Sequence, residues 1–420
     1  MKLHFFNIRS SMCRRGRALA ASGLVLLCAA AYSQPDLVAF RTDKKVVPVS
    51  DEKRPPLHKE IVDPSFGARI TRVSDSNQVK GVERLRHYYA KRNPFNADES
   101  RAVLISSDGY NWVYDTKTWE PIGYLPLQSS DAEVHWHPVD KDKIFLMDFG
   151  SNYNISRMFW LNAATGKKTL LLDLEKEGFI SANGMMEGNP DRAMSVYAVA
   201  GKTQEDGKKM AMALVDINAG KIIAKKNVNP RWVNDWISVS PSGKYVVAMG
   251  KEHTRILDRQ LKVIHTLPEG SYGHGDLCLT PSGREALVFD GADLQLSGDR
   301  NINIAWLDSG ELEIGTRIGW GATPHVSCRN FEFPGWALIS TQGSDTWRND
   351  YPNLDFEVFW LKLDGSGEVR RLAHHHSSRE DGGYFAEQHA VTNRDGTKIL
   401  FASNWDGDEV DEYLIQLPEK

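Results

Sequence analysis

One phrase recurs along the chain: a short alternating strand, a tight polar turn, then a more apolar strand. It is clearest at Trp236-Ile237-Ser238-Val239-Ser240-Pro241-Ser242-Gly243-Lys244-Tyr245-Val246-Val247, at Leu277-Cys278-Leu279-Thr280-Pro281-Ser282-Gly283-Arg284-Glu285-Ala286-Leu287-Val288 and at Val391-Thr392-Asn393-Arg394-Asp395-Gly396-Thr397-Lys398-Ile399-Leu400-Phe401. Looser copies begin at Asn93, His135 and Glu187, and a degenerate one runs over Phe331-Glu332-Phe333-Pro334-Gly335-Trp336. Pro, Ser, Asp and Gly fill the turns because a hairpin of a few residues must reverse direction without straining φ. Further strands follow most copies, so each unit is about four strands long and returns every ~40 to 60 residues. Such a unit cannot bury its own faces, but a closed ring of units can. The pattern predicts an all-β fold, a seven-bladed β-propeller of four-stranded antiparallel blades. Residues 34–85 read as a lead-in that closes the ring by supplying a strand to the last blade, which leaves only short, protected edges.

Residues 1–33 read as a cleavable signal peptide. They hold no acid, carry Lys2, Arg9, Arg14, Arg15 and Arg17, then turn apolar from Ala18 to Ala31 and end in the small residues Ala31 and Ser33. The apolar run is short for a bilayer span, and a secreted or periplasmic protein is expected. Residues 34–420 then form one propeller domain. Removing five positive charges from a chain of formal charge −4 leaves it near −9, which excludes a nucleic-acid partner that would want a basic face. Cleavage also removes Cys13 and Cys28. Cys278 and Cys328 remain, either to pair as a disulfide or to give one metal ligand.

In a propeller the innermost strand of each blade starts at one mouth of the central channel, so residues just before the repeated turns share a funnel. Blade one brings Arg86, His87 and Tyr89, blade two His135 and His137, and blade four Arg231 and Asn234. Blade five brings Tyr272, His274, Asp276 and Cys278, blade six His325, Cys328 and Arg329, and blade seven Gln388 and His389. His274, His325 and His389, with Cys328 or Cys278 as fourth, form a donor set for a divalent metal. Zn²⁺ takes four N, S or O ligands of this kind. His137 stands where other blades place a turn Ser or Thr and reads as a turn histidine. The run His374-His375-His376 reads as a solvated loop between blades six and seven. Arg231, Arg300, Arg329 and Arg348, with aromatics in nearby loops, suggest capture of an anionic ligand, because Arg grips a carboxylate with two parallel hydrogen bonds.

The stretch His87-Tyr88-Tyr89-Ala90-Lys91-Arg92-Asn93-Pro94-Phe95-Asn96, the Gly273-His274-Gly275-Asp276 and Pro324-His325-Val326-Ser327-Cys328-Arg329 phrases, and Gln388-His389-Ala390 resemble the propeller-fold polysaccharide lyases of the oligogalacturonate and ulvan type. The resemblance spans roughly residues 65–415 and extends to non-catalytic TolB-like propellers. It implies a metal held by His274, His325 and His389. Where the oligogalacturonate enzymes place two histidines in the final-blade motif, this chain has Glu387 and His389. The implied reaction is β-elimination on a uronic-acid polysaccharide, and the implied partner is that acidic glycan, bound by a monomer. His87 is then base or acid, Tyr153 or Tyr272 the partner acid, and Arg329 or Arg231 the carboxylate clamp. The alternative is a propeller that binds a glycan or an envelope partner without turnover.

Overall fold

The repeated turn builds the ring. In its three clearest copies the closing glycines, Gly243, Gly283 and Gly396, sit at φ of 76°, 82° and 78°, a left-handed conformation that a side chain would strain. The Gly243 and Gly283 N–H groups donate to the carbonyls of Ser240 and Thr280 at 2.8 and 2.9 Å. The flanking strands then pair antiparallel, with Trp236 opposite Met249, Gly275 opposite Phe289 and Val391 opposite Leu400.

The structure is a computed structural model that describes residues 40–418 apart from 80–81, 128–131, 151–153, 186, 205–206, 272, 293–299, 319–323, 344–353, 379–382 and 406. Six four-stranded antiparallel sheets follow in chain order over residues 85–124, 133–173, 181–228, 236–266, 275–318 and 324–374. The seventh joins Val391–Thr392, Lys398–Ser403 and Asp411–Gln416 to Arg69–Arg72 and Glu60–Val62. This is a seven-bladed β-propeller. Among the described residues there is no α-helix, and so none long and apolar enough to cross a membrane.

Ring closure uses two lead-in strands where one was expected. Ile70 pairs with Ile415 and Ile61 with Ile70, so both ends of the chain share one sheet. A charge lock holds the junction: buried Asp411 accepts Arg72 Nε at 2.8 Å and also pairs with Arg54. Burial pushes its carboxyl up, against the pull of the two guanidinium groups.

The hydrophobic clusters lie between neighbouring blades. Ile302 and Ile304 of blade five, for example, pack with Phe359 and Leu361 of blade six. Each such side chain contributes about 1.5–3 kcal/mol on leaving water, and the packing fixes how the inner strands face each other.

The His374-His375-His376 run departs from expectation. All three side chains are buried, because the lead-in crosses above them. Val47 O accepts from His374 Nε2 at 3.2 Å, Thr341 O from His375 Nε2 at 2.8 Å, and the His376 ring stacks on Trp405 at 4.2 Å. Trp405 in turn donates to the Glu52 carbonyl at 2.8 Å. A segment that looked like solvated loop is core because a chain more than 300 residues earlier in sequence roofs it.

Candidate metal centre

The inner strands of blades five and six begin at Gly275 and Pro324, and a histidine sits at each start. Glycines press the first of these strands onto its neighbour. A Cβ on Gly273 would lie 2.3 Å from the Asp290 carbonyl oxygen, and one on Gly275 2.6 Å from Phe289 Cβ. The His274 ring is therefore projected across the seam, where it stacks on His325 with centroids 4.6 Å apart and planes at 11°. His274 Nδ1 donates to the Pro324 carbonyl at 3.2 Å, which leaves the lone pair on Nε2.

The seam is tied further down. Cys278 and Cys328 form a disulfide between the two inner strands. Asp276 accepts the Cys328 N–H at 2.8 Å and grips Arg329 through Nε at 3.0 Å and Nη2 at 2.6 Å. Two expectations fall here. Cys328 offers no thiolate to a metal, since its sulfur is already bonded. Arg329 is committed to Asp276 and lines the cavity at the far ends of the inner strands with His135 and Arg394.

Blade seven completes the cluster. His325 Nε2 meets Glu387 Oε2 at 2.9 Å, and His389 Nε2 lies 3.7 Å from the same oxygen. Ligand atoms of His325, Glu387 and His389 all lie within 4.8 Å of one another, and all three residues are buried. Burial holds the His325 imidazole down to about 4, against the pull of Glu387, and holds His389 well below its ordinary value. Both rings are thus neutral near pH 7, the state that can ligate. His389 Nε2 and His325 Nδ1 are buried without a hydrogen-bond partner, and orphaned nitrogens beside a carboxylate are what a cation would satisfy. Two imidazoles and a carboxylate suit a divalent first-row ion. Of the expected ligands His325 and His389 belong to this group and Glu387 joins them, while His274 and Cys328 lie outside it.

His87 is placed differently from its expected role. It is fully buried, with Nδ1 2.8 Å from a Glu412 oxygen and Nε2 donating to the His389 carbonyl at 2.7 Å. No ring nitrogen is left to meet a substrate, so His87 clasps His389 instead of reacting. The clasp has a reason: His389 sits at φ 41°, a left-handed backbone that a histidine adopts only when its surroundings impose it. Arg86 Nη1 donates to His389 Nδ1 at 2.9 Å from the other side.

Arg231 is exposed, and its guanidinium pairs with Glu252 at 2.8 Å. Tyr153 and Tyr272 lie outside the described residues, as does Arg348. His137 Nδ1 accepts the Val139 and Asp140 N–H groups at 3.2 and 3.0 Å, the turn role expected of it.

Tyr89, expected at the mouth but given no role there, lines the cluster, and Lys91, which the sequence does not single out, stands next to Tyr89. The Tyr89 ring lies 5.4 Å from His325 and 4.8 Å from His389. Burial, then the charges of Glu187, Asp235 and Glu387, push its phenol well above the ordinary value. Lys91 pairs with Glu187 and stands 4.0 Å over the Trp236 ring. Both belong to the His87–Asn96 motif.

No family model matches the sequence, and no curated protein does. Among solved structures the fold is similar to an oligogalacturonate lyase in complex with manganese, with a TM-score of 0.60 and 19% identity over 90% of this chain and 99% of that one. It is similar also to the oligogalacturonate lyase from Vibrio parahaemolyticus, with a TM-score of 0.59 and 13% identity over 86% of this chain and 96% of that one. At these identities the likeness is one of fold, and the seven-bladed ring is what the chains share.

Proposed function

We propose that the chain is an exported, cation-dependent lyase that cleaves a uronic-acid polysaccharide by β-elimination. The observation that carries the reading is a half-buried imidazole with its lone pair on Nε2, stacked directly on a His–Glu–His cation site. The likeness in fold to structures described as oligogalacturonate lyases, one of them with manganese, supports it.

His325, Glu387 and His389 would hold the cation, which when bound supplies the positive charge that acidifies the proton α to a uronate carboxylate. Mn²⁺ and Zn²⁺ both accept such donors. His274 Nε2 takes the α-proton. The electron pair left behind forms the C4–C5 double bond as the glycosidic oxygen on C4, the carbon β to the carboxylate, departs, and Tyr89 returns a proton to that oxygen. A phenol held above its ordinary value keeps its proton until the leaving group needs it, which suits an acid better than a base. Lys91 places a second cation 5.9 Å from the centre of the Tyr89 ring. Export is the reading of residues 1–33, and the buried Cys278–Cys328 disulfide agrees with an oxidising compartment.

The test is ultraviolet absorbance of the unsaturated product on pectate, ulvan and alginate with added Mn²⁺ or Zn²⁺. Cation-dependent absorbance on one of them is expected. None on any, from folded and metal-loaded protein, overturns the lyase reading.

A further inference from the structure

Among the described residues, four aromatic side chains are strongly exposed: Tyr110 (48%), Tyr124 (56%), Tyr384 (47%) and Phe385 (41%). All four fall in one sector of one face. Leu85 opens the inner strand of blade one opposite Ser106, just as Gly275 and Pro324 open theirs beside His274 and His325. The Ser106–Tyr110 turn therefore lies on the face of the metal centre, and Tyr124, paired to Trp112, ends the outer strand at the same level.

The residues join into a line. Tyr384 packs at 5.5 Å on His389 and at 5.4 Å on Phe385. The Arg84 guanidinium sits 3.5 Å above the Phe385 ring. The Arg84 carbonyl accepts the Ser107 N–H at 3.0 Å, which anchors the turn that carries Tyr110. Tyr110 then contacts Tyr124 at 5.1 Å and Trp112 at 6.4 Å, and Trp112 contacts Tyr124 at 5.6 Å. The Trp112 indole N–H donates to Ser106 Oγ at 3.2 Å, which fixes the ring.

We propose that this sector is a binding track that carries an anionic polysaccharide from the metal centre out across blade one. Exposed apolar patches on a soluble face mark binding sites. Rigid aromatic faces next to a catalytic mouth suit pyranose rings, whose C–H edges meet the negative face of the aromatic ring. Arg84, with Glu83 beside it, sits midway and can pair with a uronate carboxylate. The identity of the glycan rests on the lyase reading, and the continuity with His389 makes the track part of one extended site. The consequence is a preference for long chains over short oligomers, because a short product fills the mouth and leaves the track empty.

The experiment is affinity electrophoresis of the full chain in gels containing polygalacturonate, ulvan or alginate, with dextran as the neutral control. The comparison is Tyr110→Ala/Tyr124→Ala, two exposed positions outside the metal centre, with folding checked by the thermal midpoint. The wild type is expected to be retarded by an anionic polymer and not by dextran, and the double variant about tenfold less. Equal retardation of both proteins overturns the track, as does a wild type that no anionic polymer retards. Retardation lost in the variant, in a protein without turnover, upholds the track and sinks the lyase reading alone.

Discussion

The ring buries two groups of histidines, and they differ in what surrounds them. His374, His375 and His376 adjoin in sequence: His374 and His375 donate to the Val47 and Thr341 carbonyls, His375 Nδ1 accepts the Ser377 N–H at 3.0 Å, and His374 Nδ1, buried without a hydrogen-bond partner, lies 4.0 Å from the Asp63 carboxylate. His325 and His389 come from different blades and converge on one carboxylate, each with a buried nitrogen left unpartnered. Burial depresses both groups alike, with His375 held at about 3 and His325 at about 4, so a shifted imidazole does not distinguish core from site. Convergence on Glu387 does.

The contrast can be broken in stages. The largest effect is expected at His274→Ala, which should lower turnover about 10²- to 10⁴-fold while cation affinity holds. Steady-state kinetics beside a cation titration check it, and a parallel loss of cation would make His274 a ligand. Next, His375→Ala should cost about 2–4 kcal/mol of stability from lost hydrogen bonds and a cavity. Denaturant unfolding reads that cost, and cation binding per folded molecule should not change. If it does, the two groups are not separate.

A smaller effect is expected at Arg86. Its N–H donates to His389 Nδ1, so a cation that binds at Nε2, the nitrogen facing Glu387, must displace the ring proton from it. A Gln carbonyl could instead accept the Nδ1 proton that a ligating His389 must carry, so Arg86→Gln should tighten cation binding about tenfold. Calorimetric titration would show it, and weaker binding would refute that proton assignment. The smallest effect is with pH. A histidine held at about 4 stays neutral until the pH falls through that value, so protons on His325 should compete with the cation only below about pH 5. Dialysis at pH 7 and at pH 5 should give similar retention; a steep loss near 6.5 would place His325 in an ordinary environment.

The fold was legible because one turn recurs along the chain, clearest in blades four, five and seven, where Gly243, Gly283 and Gly396 close it at positive φ. The site was legible only in part. His274, His325 and His389 could be placed at one mouth because ring closure fixes the starts of the inner strands. Which partners satisfy them depends on side-chain reach across blades, which no local pattern encodes. His87 looked reactive beside Arg86 and Tyr89, yet Glu412, on the strand that closes the ring, takes its Nδ1. Cys328 looked like a ligand until its inner strand was seen against that of Cys278. Glu387 had a signal: it stands two residues before His389 in a motif where the resembling enzymes carry histidine.

The central claim is that His325, Glu387 and His389 hold one divalent cation. Its most direct measurement is the cation content of protein loaded with Mn²⁺ or Zn²⁺ and then dialysed, for the wild type and for Glu387→Ala. About one ion per wild-type chain is expected, with at least a 100-fold loss of affinity in the variant. An unloaded wild type, or a variant that binds as tightly, would contradict it.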